Sequence, residues 1–353
     1  MNEIESYHPW LIGGPARNGK TTLINALYNN KGSVIGLPVE GLLLVYLRKW
    51  RPLLGRQQKE LLTEYLSRPR SIDSMKCNTA KPIDFFKTDL NNVLKIVLED
   101  RHEHHIGLID SALKLFARQN GAITWAACDL HPEFRYKKIL QHIEKLNLAV
   151  MLRDPRESIA ASLYWRDFPQ RCINSKSVFY HRLQMWAMSA EISMKCREAN
   201  VDSIKTFNFN KLVSKDKNEC ARLSSTFGGE ISFYEHDEPP YFSYVPSRGF
   251  YCPDKKWRFL LDDYEINMIE EITMPFLTYF GYEKASNTDA NKNKPNKSVL
   301  YLLRSSIFIG RRAPYFIKSI NDMFCAPASY FRLYLNIFKE DSKKVLKVMF
   351  GLH

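Results

Sequence analysis

Short apolar runs alternate along this chain with longer stretches in which apolar residues recur at helical spacing. The apolar runs fall at residues 10–12, 106–109, 122–127, 148–152 and 203–209. Runs of that length, separated by helical patterns, predict buried strands that are connected by helices. The alternation therefore predicts an α/β fold in which helices flank a P-loop-type parallel sheet on both faces.

A polar segment divides the chain near its C-terminal end. Residues 285–298 read ASNTDANKNKPNKS, a composition that predicts a linker because it offers almost no apolar surface to bury. We expect an α/β domain at 1–284, whose last helix spans 262–280 and ends near Gly281. A basic amphipathic helical tail is expected at 299–353.

Positive charge is concentrated in that tail. The chain has 353 residues and a formal net charge of +13, which favours an anionic partner. Residues 285–353 contain 12 Lys or Arg and 4 Asp or Glu, so +8 of the net charge lies there. This composition predicts contact with an anionic membrane surface or an acidic glycan, although a solvated appendage on the main domain explains it equally well. We expect no nucleic-acid partner.

Cysteine usage and the N-terminal sequence indicate a compartment. The seven cysteines are scattered and show no metal-ligand spacing, which is typical of reduced thiols in a cytosolic protein. The N-terminal residues lack both a basic segment and a long apolar core, so we expect no secretory signal. The apolar run at 34–47 is too short and too interrupted for a membrane span. These features predict a cytoplasmic protein that reaches a membrane, if at all, through its tail.

A glycine-rich loop follows the first apolar run. Residues 13–22 read GGPARNGKTT and fit the pattern G-x-x-x-x-G-K-[ST], with helical spacing beginning at Thr21. The glycines let backbone N–H groups close around a phosphate, and Lys20 supplies positive charge. Taken literally, the pattern predicts a kinase or a nucleoside triphosphatase; phosphoryl transfer from ATP needs Mg²⁺ held by the loop threonine and a strand-end aspartate. Asp110 is the candidate for that aspartate.

A second anion motif follows the apolar run at 148–152. The sequence continues RDPRESIAASLYW, with Arg153 ahead of a helical stretch that carries Ser158 and Ser162. An arginine delivered to a helix N-terminus suits an anion. Two such motifs in one chain predict a ligand that has an anionic group at each end.

In order along the chain, four segments resemble the sulfotransferases that use 3′-phosphoadenosine 5′-phosphosulfate (PAPS). Residues 13–22 are similar to the family's 5′-phosphosulfate loop, and residues 152–164 resemble its 3′-phosphate motif. Residues 207–228 resemble its next strand-and-helix segment, and residues 247–283 its C-terminal cofactor loop and closing helix. The resemblance implies transfer of a sulfuryl group from PAPS to a hydroxyl acceptor, with no metal.

The resemblance also implies roles for individual residues. The 5′-phosphosulfate would be held by Arg17, Asn18, Gly19, Lys20, Thr21 and Thr22, with Arg17 or Lys20 stabilising the leaving oxygen. The 3′-phosphate would be held by Arg153 and by Ser158 or Ser162, with Arg248 and Gly249 closing over the same end. This sequence departs from the family at Lys20, where threonine is usual, and at Ala161, where many members have the 3′-phosphate serine. It also lacks the usual lysine within 126–132.

The catalytic base is less clearly marked. Several branches of the family place a glutamate some way past the loop, and Glu40 fits that placement. Glu40 is also explained as the first residue of the helix that follows, where its charge complements the helix dipole. His102, His104 and His105 form a solvated turn, a metal site or an alternative base.

Sequence alone leaves three functional hypotheses. The first is the sulfotransferase, for which we favour a carbohydrate or glycolipid acceptor. The second is a P-loop small-molecule kinase that uses ATP and Mg²⁺. The third is a catalytically silent protein on the same fold that binds anions or membranes. Trp257 belongs either to a nucleotide pocket or to the core, and Arg153 is expected within one nucleotide's reach of Arg17 to Thr22.

Overall fold

The computed structural model describes residues 7–30, 32–41, 43–46, 55–69, 80–100, 102, 104–129, 131–143, 145–164, 176–231 and 257–284. The chain divides into two compact units. The first comprises residues 1–14, 18–152 and 196–250, and the second comprises residues 15–17, 153–195 and 251–353. The predicted linker and tail, together with Arg248 and Gly249, lie outside the described residues.

The first unit contains a five-stranded parallel sheet. Its strands are β1 (Trp10–Gly13), β2 (Val34–Glu40), β3 (Thr124–Cys128), β4 (Asn147–Leu152) and β5 (Ile204–Asn208). They are ordered β2-β3-β1-β4-β5, and every neighbouring pair is parallel. Residues of β1, β3 and β4 are almost all buried, which is why these strands read as continuous apolar runs. The predicted α/β fold is confirmed.

Helices account for most of the remaining described residues. In chain order they are α1 (Lys20–Asn30), α2 (Leu43–Tyr46), α3 (Gly55–Ser67), α4 (Leu90–Val97), α5 (His105–Gln119), α6 (Tyr136–Ile139), α7 (Pro155–Leu163), α8 (Lys176–Glu198), α9 (Phe209–Val213), α10 (Lys217–Phe227), α11 (Trp257–Leu260) and α12 (Asp263–Phe280). Two 3₁₀ helices span Pro82–Phe85 and Pro132–Phe134. No helix among the described residues is both long enough and apolar enough to cross a bilayer.

The prediction of a strand at 106–109 is wrong. These residues lie in α5, whose buried apolar side chains continue through Ala112, Leu113 and Phe116. A short apolar run fits either a buried strand or part of a buried helix. Here the helical spacing over the longer stretch gives the correct assignment.

The sheet contains β2 in place of the strand expected at 106–109. The apolar run at 34–47 does not show by itself that a strand ends at Glu40. β2 is an edge strand that contains Pro38, and its register with β3 shifts between Gly36 and Glu40. An edge strand or a bulge is where a sheet tolerates proline. Gly36 is required because a Cβ there would lie 2.1 Å from the Ile24 carbonyl oxygen on α1.

In the second unit, a buried arginine connects α7 to α12. Arg156 is 3% exposed, and its guanidinium donates to Asp154 Oδ2 at 2.6 Å and to Glu270 Oε1 at 2.7 Å. It also donates to the Glu283 carbonyl at 2.6 Å and lies 4.5 Å from the Trp257 ring centroid. Trp257 is thus packed under Arg156, which supports the core interpretation of this tryptophan.

The predicted last helix is confirmed as α12. Asp262 and Glu265 form a reciprocal capping box at its start, and Gly281 at φ +74° ends it in the left-handed conformation that glycine adopts readily.

Candidate active site

The strand order places two loops side by side. In the first unit β1 lies between β3 and β4, and Gly13 pairs in register with Val150. The chain leaves β1 towards β2 and leaves β4 towards β5, so the connections run in opposite directions. Ligands of open parallel sheets bind at such a switch point, outside the carboxyl ends of the strands. Both anion motifs of the sequence begin at these two strand ends.

The loop after β1 needs glycine at two positions. Gly14 has φ +111°, and a Cβ there would lie 2.3 Å from the Met151 carbonyl oxygen of β4. Gly19 has φ +85°, and a Cβ there would lie 2.1 Å from the Phe209 ring. The glycines of the motif therefore permit both a left-handed backbone and close packing on β4 and α9.

The lysine of the loop is buried and folded back. Lys20 is 7% exposed, and its Nζ donates to the Gly14 carbonyl oxygen at 2.7 Å. Asn18 is fully buried, whereas Thr21 and Thr22 in the first turn of α1 are partly exposed. The start of α1 and the nearby ammonium together suit an anion.

Glu40 lies at the same edge of the sheet. It is the last residue of β2, is partly exposed, and pairs in register with Cys128. Burial raises the pKa of the Cys128 thiol to about 12; Glu40 and Asp129 add to that rise, whereas Lys20 opposes it. Lys20, Glu40 and Asp129 thus all lie within electrostatic range of one thiol. Because Glu40 ends a strand and α2 begins only at Leu43, its interpretation as a helix-starting residue is wrong.

Sequence reasoning missed the residues that follow β3. The side chain of Glu133 is fully buried; its Oε2 accepts from the Gly14 N–H at 3.1 Å, and its Oε1 lies 3.2 Å from His131 Nδ1. Asp129 Oδ2 accepts from the Leu44 N–H at 3.0 Å. One carboxylate therefore fixes the start of the loop and orients an imidazole. The available signal was a polar segment directly after a buried strand, but its proximity to β1 depends on the strand order.

The second unit brings the two anion motifs into contact. Arg153 is 5% exposed; its Nε lies 2.9 Å from Glu157 Oε2, and its Nη1 donates to the Arg17 carbonyl oxygen at 3.5 Å. Ser158 Oγ donates to the Ala16 carbonyl oxygen at 2.9 Å. Arg153 thus meets the loop at Arg17, as expected for a group that shares one nucleotide with it.

The two serines of α7 have different partners. Ser158 contacts the loop, whereas Ser162 Oγ donates to the Ser158 carbonyl oxygen one turn earlier, at 2.9 Å. Both are buried, at 2% and 6% exposure. Which of them contacts a 3′-phosphate stays a prediction, as do the roles of Arg248 and Gly249.

The histidine cluster lies at the start of α5, where His104 is the N-cap residue. His104 Nδ1 accepts from the Ile106 N–H at 3.1 Å and caps the helix, and its ring stacks on His142 with centroids 3.5 Å apart. Burial lowers the pKa of His104 to about 4, with smaller effects from His142 and His105. Within the described ranges, no group of three or more His, Cys, Asp or Glu side chains is arranged to hold a metal ion.

Asp110 is not the strand-end aspartate that the kinase hypothesis requires. It lies in α5, where its Oδ1 accepts from Tyr7 Oη at 2.5 Å and from Trp125 Nε1 at 2.9 Å. Burial raises its pKa. Asp129, by contrast, directly follows β3, a strand that pairs with β1.

Comparison with solved structures identifies the fold. Over 79% of this chain and 99% of the other, the structure is similar to the sulfotransferase domain from the curacin biosynthetic pathway, with a TM-score of 0.52 and 12% identity. This chain has a sulfotransferase fold.

Two further solved structures that are described as sulfotransferases match with lower TM-scores. The sulfotransferase domain from the Synechococcus PCC 7002 olefin synthase gives a TM-score of 0.45 at 14% identity, over 80% of this chain and 97% of that one. The sulfotransferase STF9 from Mycobacterium avium gives 0.43 at 12% identity, over 80% of this chain and 79% of that one. No protein-family model and no curated protein matches the chain. The sulfotransferase fold therefore rests on the likeness to the curacin-pathway domain.

Proposed function

We propose that this protein transfers a sulfuryl group from PAPS to a hydroxyl acceptor. The observation that carries the proposal is the contact between the two anion motifs in the second unit. Arg153 Nη1 donates to the Arg17 carbonyl oxygen, and Ser158 Oγ donates to that of Ala16. A donor with a phosphate on its 3′ side and a phosphosulfate on its 5′ side needs two such neighbouring sites. The sulfotransferase fold supports the same donor.

The residues present fit this substrate. Lys20 and Arg153 are both more than nine-tenths buried, which suits groups that hold anions away from water. Gly14, Arg17 and Gly19 all have positive φ values, and such left-handed positions are typical of loops whose backbone N–H groups bind anions. In the first unit a buried ammonium, and in the second unit a buried guanidinium, each supplies charge for an anionic oxygen.

The proposed mechanism is an in-line transfer. Glu40 takes the proton of the acceptor hydroxyl, whose oxygen attacks the sulfur as the bond from sulfur to the bridging phosphate oxygen breaks. Lys20 or Arg17 stabilises the negative charge that develops on that leaving oxygen. The products are a sulfate ester, 3′-phosphoadenosine 5′-phosphate (PAP), and a proton on Glu40.

We further propose a carbohydrate or glycolipid acceptor and a cytoplasmic protein whose tail contacts an anionic membrane surface. The supporting observation is compositional, because +8 of the net charge of +13 lies in residues 285–353. A mass-spectrometric screen of hydroxyl acceptors with PAPS tests the acceptor class through a sulfate-sized gain in mass. Donor binding with no product from any acceptor would favour the catalytically silent alternative.

Donor binding is tested by calorimetric titration of PAP into the full chain in the presence of EDTA. We expect binding that Arg153→Ala weakens by about 10- to 100-fold, the range of a charge-assisted contact. Arg118→Ala, which removes an exposed arginine of α5, is the control and should leave the affinity unchanged. Equal affinities for all three proteins would contradict the proposal.

One observation keeps the kinase as a second candidate. Asp129 follows β3 beside β1, where a carboxylate and Thr21 can share a Mg²⁺ ion. A kinase should bind ATP with Mg²⁺ more tightly than PAP, and Asp129→Asn should abolish that preference. The sulfotransferase should prefer PAP whether or not Mg²⁺ is present.

A further inference from the structure

One arginine of α8 is partly desolvated and has no counter-charge among the described residues. Arg182 is half-buried, and its Nε is inaccessible to solvent with no hydrogen-bond partner among the described residues. Burial lowers the pKa of Arg182, and no neighbouring carboxylate offsets that effect. A desolvated guanidinium N–H without an acceptor is costly, so its retention calls for a ligand or a partner.

Two buried arginines of the second unit, Arg153 and Arg156, are paired with carboxylates. Arg153 lies 2.9 Å from Glu157, and Arg156 lies 2.6 Å from Asp154 and 2.7 Å from Glu270. Within the part of the chain that the structure describes, Arg182 makes no ion pair. Arg182 therefore differs from Arg153 and Arg156 in having no carboxylate partner among the described residues.

The position of Arg182 on α8 directs it to the anion motif. Trp186, one turn later on the same face, donates from Nε1 to the Arg153 carbonyl oxygen at 2.9 Å. Tyr180, two residues before Arg182, contacts Tyr264 of α12 through the hydroxyl groups at 2.8 Å. Two helical residues are rotated by about 200° from each other, so Arg182 lies on the face away from α12 and on the side of Arg153.

We propose that Arg182 binds an anionic group of a substrate next to Arg153. The proposal rests on the proposed function and extends it, because it adds a further cation of the second unit to Arg17 and Arg153. The ligand is an oxyanion, phosphate, sulfate or carboxylate, that accepts from the guanidinium fork. It belongs either to the donor or to an acidic acceptor, and the two sources are separated by experiment.

The test uses the full chain labelled with ¹⁵N at the arginine Nε positions. The Nε–H resonance of Arg182 is identified by its loss in Arg182→Lys. PAP is titrated first, and inorganic sulfate is then titrated into the PAP-saturated protein as the probe for an acceptor anion. A saturable shift of this resonance with PAP assigns the anion to the donor. A shift that appears only with sulfate assigns it to the acceptor, and a resonance unmoved by both overturns the proposal.

A matched pair of variants strengthens the test. Arg182→Gln should lower the affinity of the effective anion at least about tenfold, whereas Arg118→Gln should not change it. The native sequence alone distinguishes failure of the donor proposal from failure of the Arg182 proposal. If PAP does not bind but sulfate shifts the Arg182 resonance, the donor assignment is wrong and the anion site stands. If PAP binds and Arg182 responds to neither ligand, the anion site alone is wrong.

Discussion

Replacing Arg156 with methionine tests whether the buried ion-pair network holds the second unit together. Arg156 is 3% exposed and donates to Asp154, Glu270 and the Glu283 carbonyl oxygen. Methionine fills a similar apolar volume and can still pack on Trp257, but it leaves two carboxylates without their cation. Removing one partner of a buried ion pair costs about 3–5 kcal/mol. We expect a loss of unfolding free energy in that range.

The structure also predicts which groups cause the loss of unfolding free energy in Arg156→Met. Glu270 is 3% exposed and Asp154 is 7% exposed, so the penalty comes chiefly from leaving these carboxylates desolvated. Removing Glu270 together with Arg156, as the double variant to methionine, should therefore cost less than the sum of the two single changes. Arg156→Lys should fall between the native protein and Arg156→Met, because an ammonium keeps the charge but cannot form the fork.

The assay is urea unfolding followed by tryptophan fluorescence, with Trp257 as the reporter 4.5 Å from Arg156. Arg258→Met is the matched control, because Arg258 also lies over Trp257, at 5.2 Å, but is exposed to solvent. The Arg258→Met variant should lose no more than about 0.5 kcal/mol of unfolding free energy. Equal losses for the two variants, or strict additivity in the double variant, would refute the reasoning.

Two further outcomes follow from local geometry. Because the pKa of His104 is lowered to about 4 in the folded state, the unfolded chain binds more protons below pH of about 6.5, so stability should fall as pH drops from about 6.5 to about 4. His104→Asn should flatten that dependence in pH-resolved thermal unfolding, and an unchanged slope would contradict it. Gly19→Ala should destabilise the protein by about 1–3 kcal/mol and weaken PAP binding, because its Cβ meets the Phe209 ring at 2.1 Å. Gly121→Ala, at φ +76° with nothing within 4 Å, is the control for backbone strain alone, and an equal loss there would rule out the steric cause.

The sequence predicted the parts of the fold whose signals are local. The glycine loop, the strand before Arg153 and the last helix each carry their signal within a few residues. The strand at 34–40 was missed because Pro38 and Gly36 weaken the strand pattern, although an edge position and a bulge tolerate them. Four apolar residues at 106–109 predict a strand by themselves, whereas the longer helical period around them matches the helix at 105–119.

Much of the candidate site depended on strand order. Glu133 lies 119 positions from Gly14 in sequence, and no local pattern indicates that they share a hydrogen bond. Arg182 was overlooked because an arginine in an amphipathic stretch is usually solvated. Its significance depends on the absence of a partner within the described residues, which only coordinates reveal.

The hydrogen bond between Arg153 and Arg17 joins positions 136 residues apart. A contact with so large a sequence separation forms only after much of the chain has been ordered, since closing the loop costs entropy that local structure does not repay. During synthesis, nucleotide affinity would thus arise only once the segment after Leu152 has left the ribosome and docked. A ligand that recognises this contact would stabilise finished molecules and ignore partly folded ones. Its binding would then serve as a measure of how many copies of the chain have completed folding.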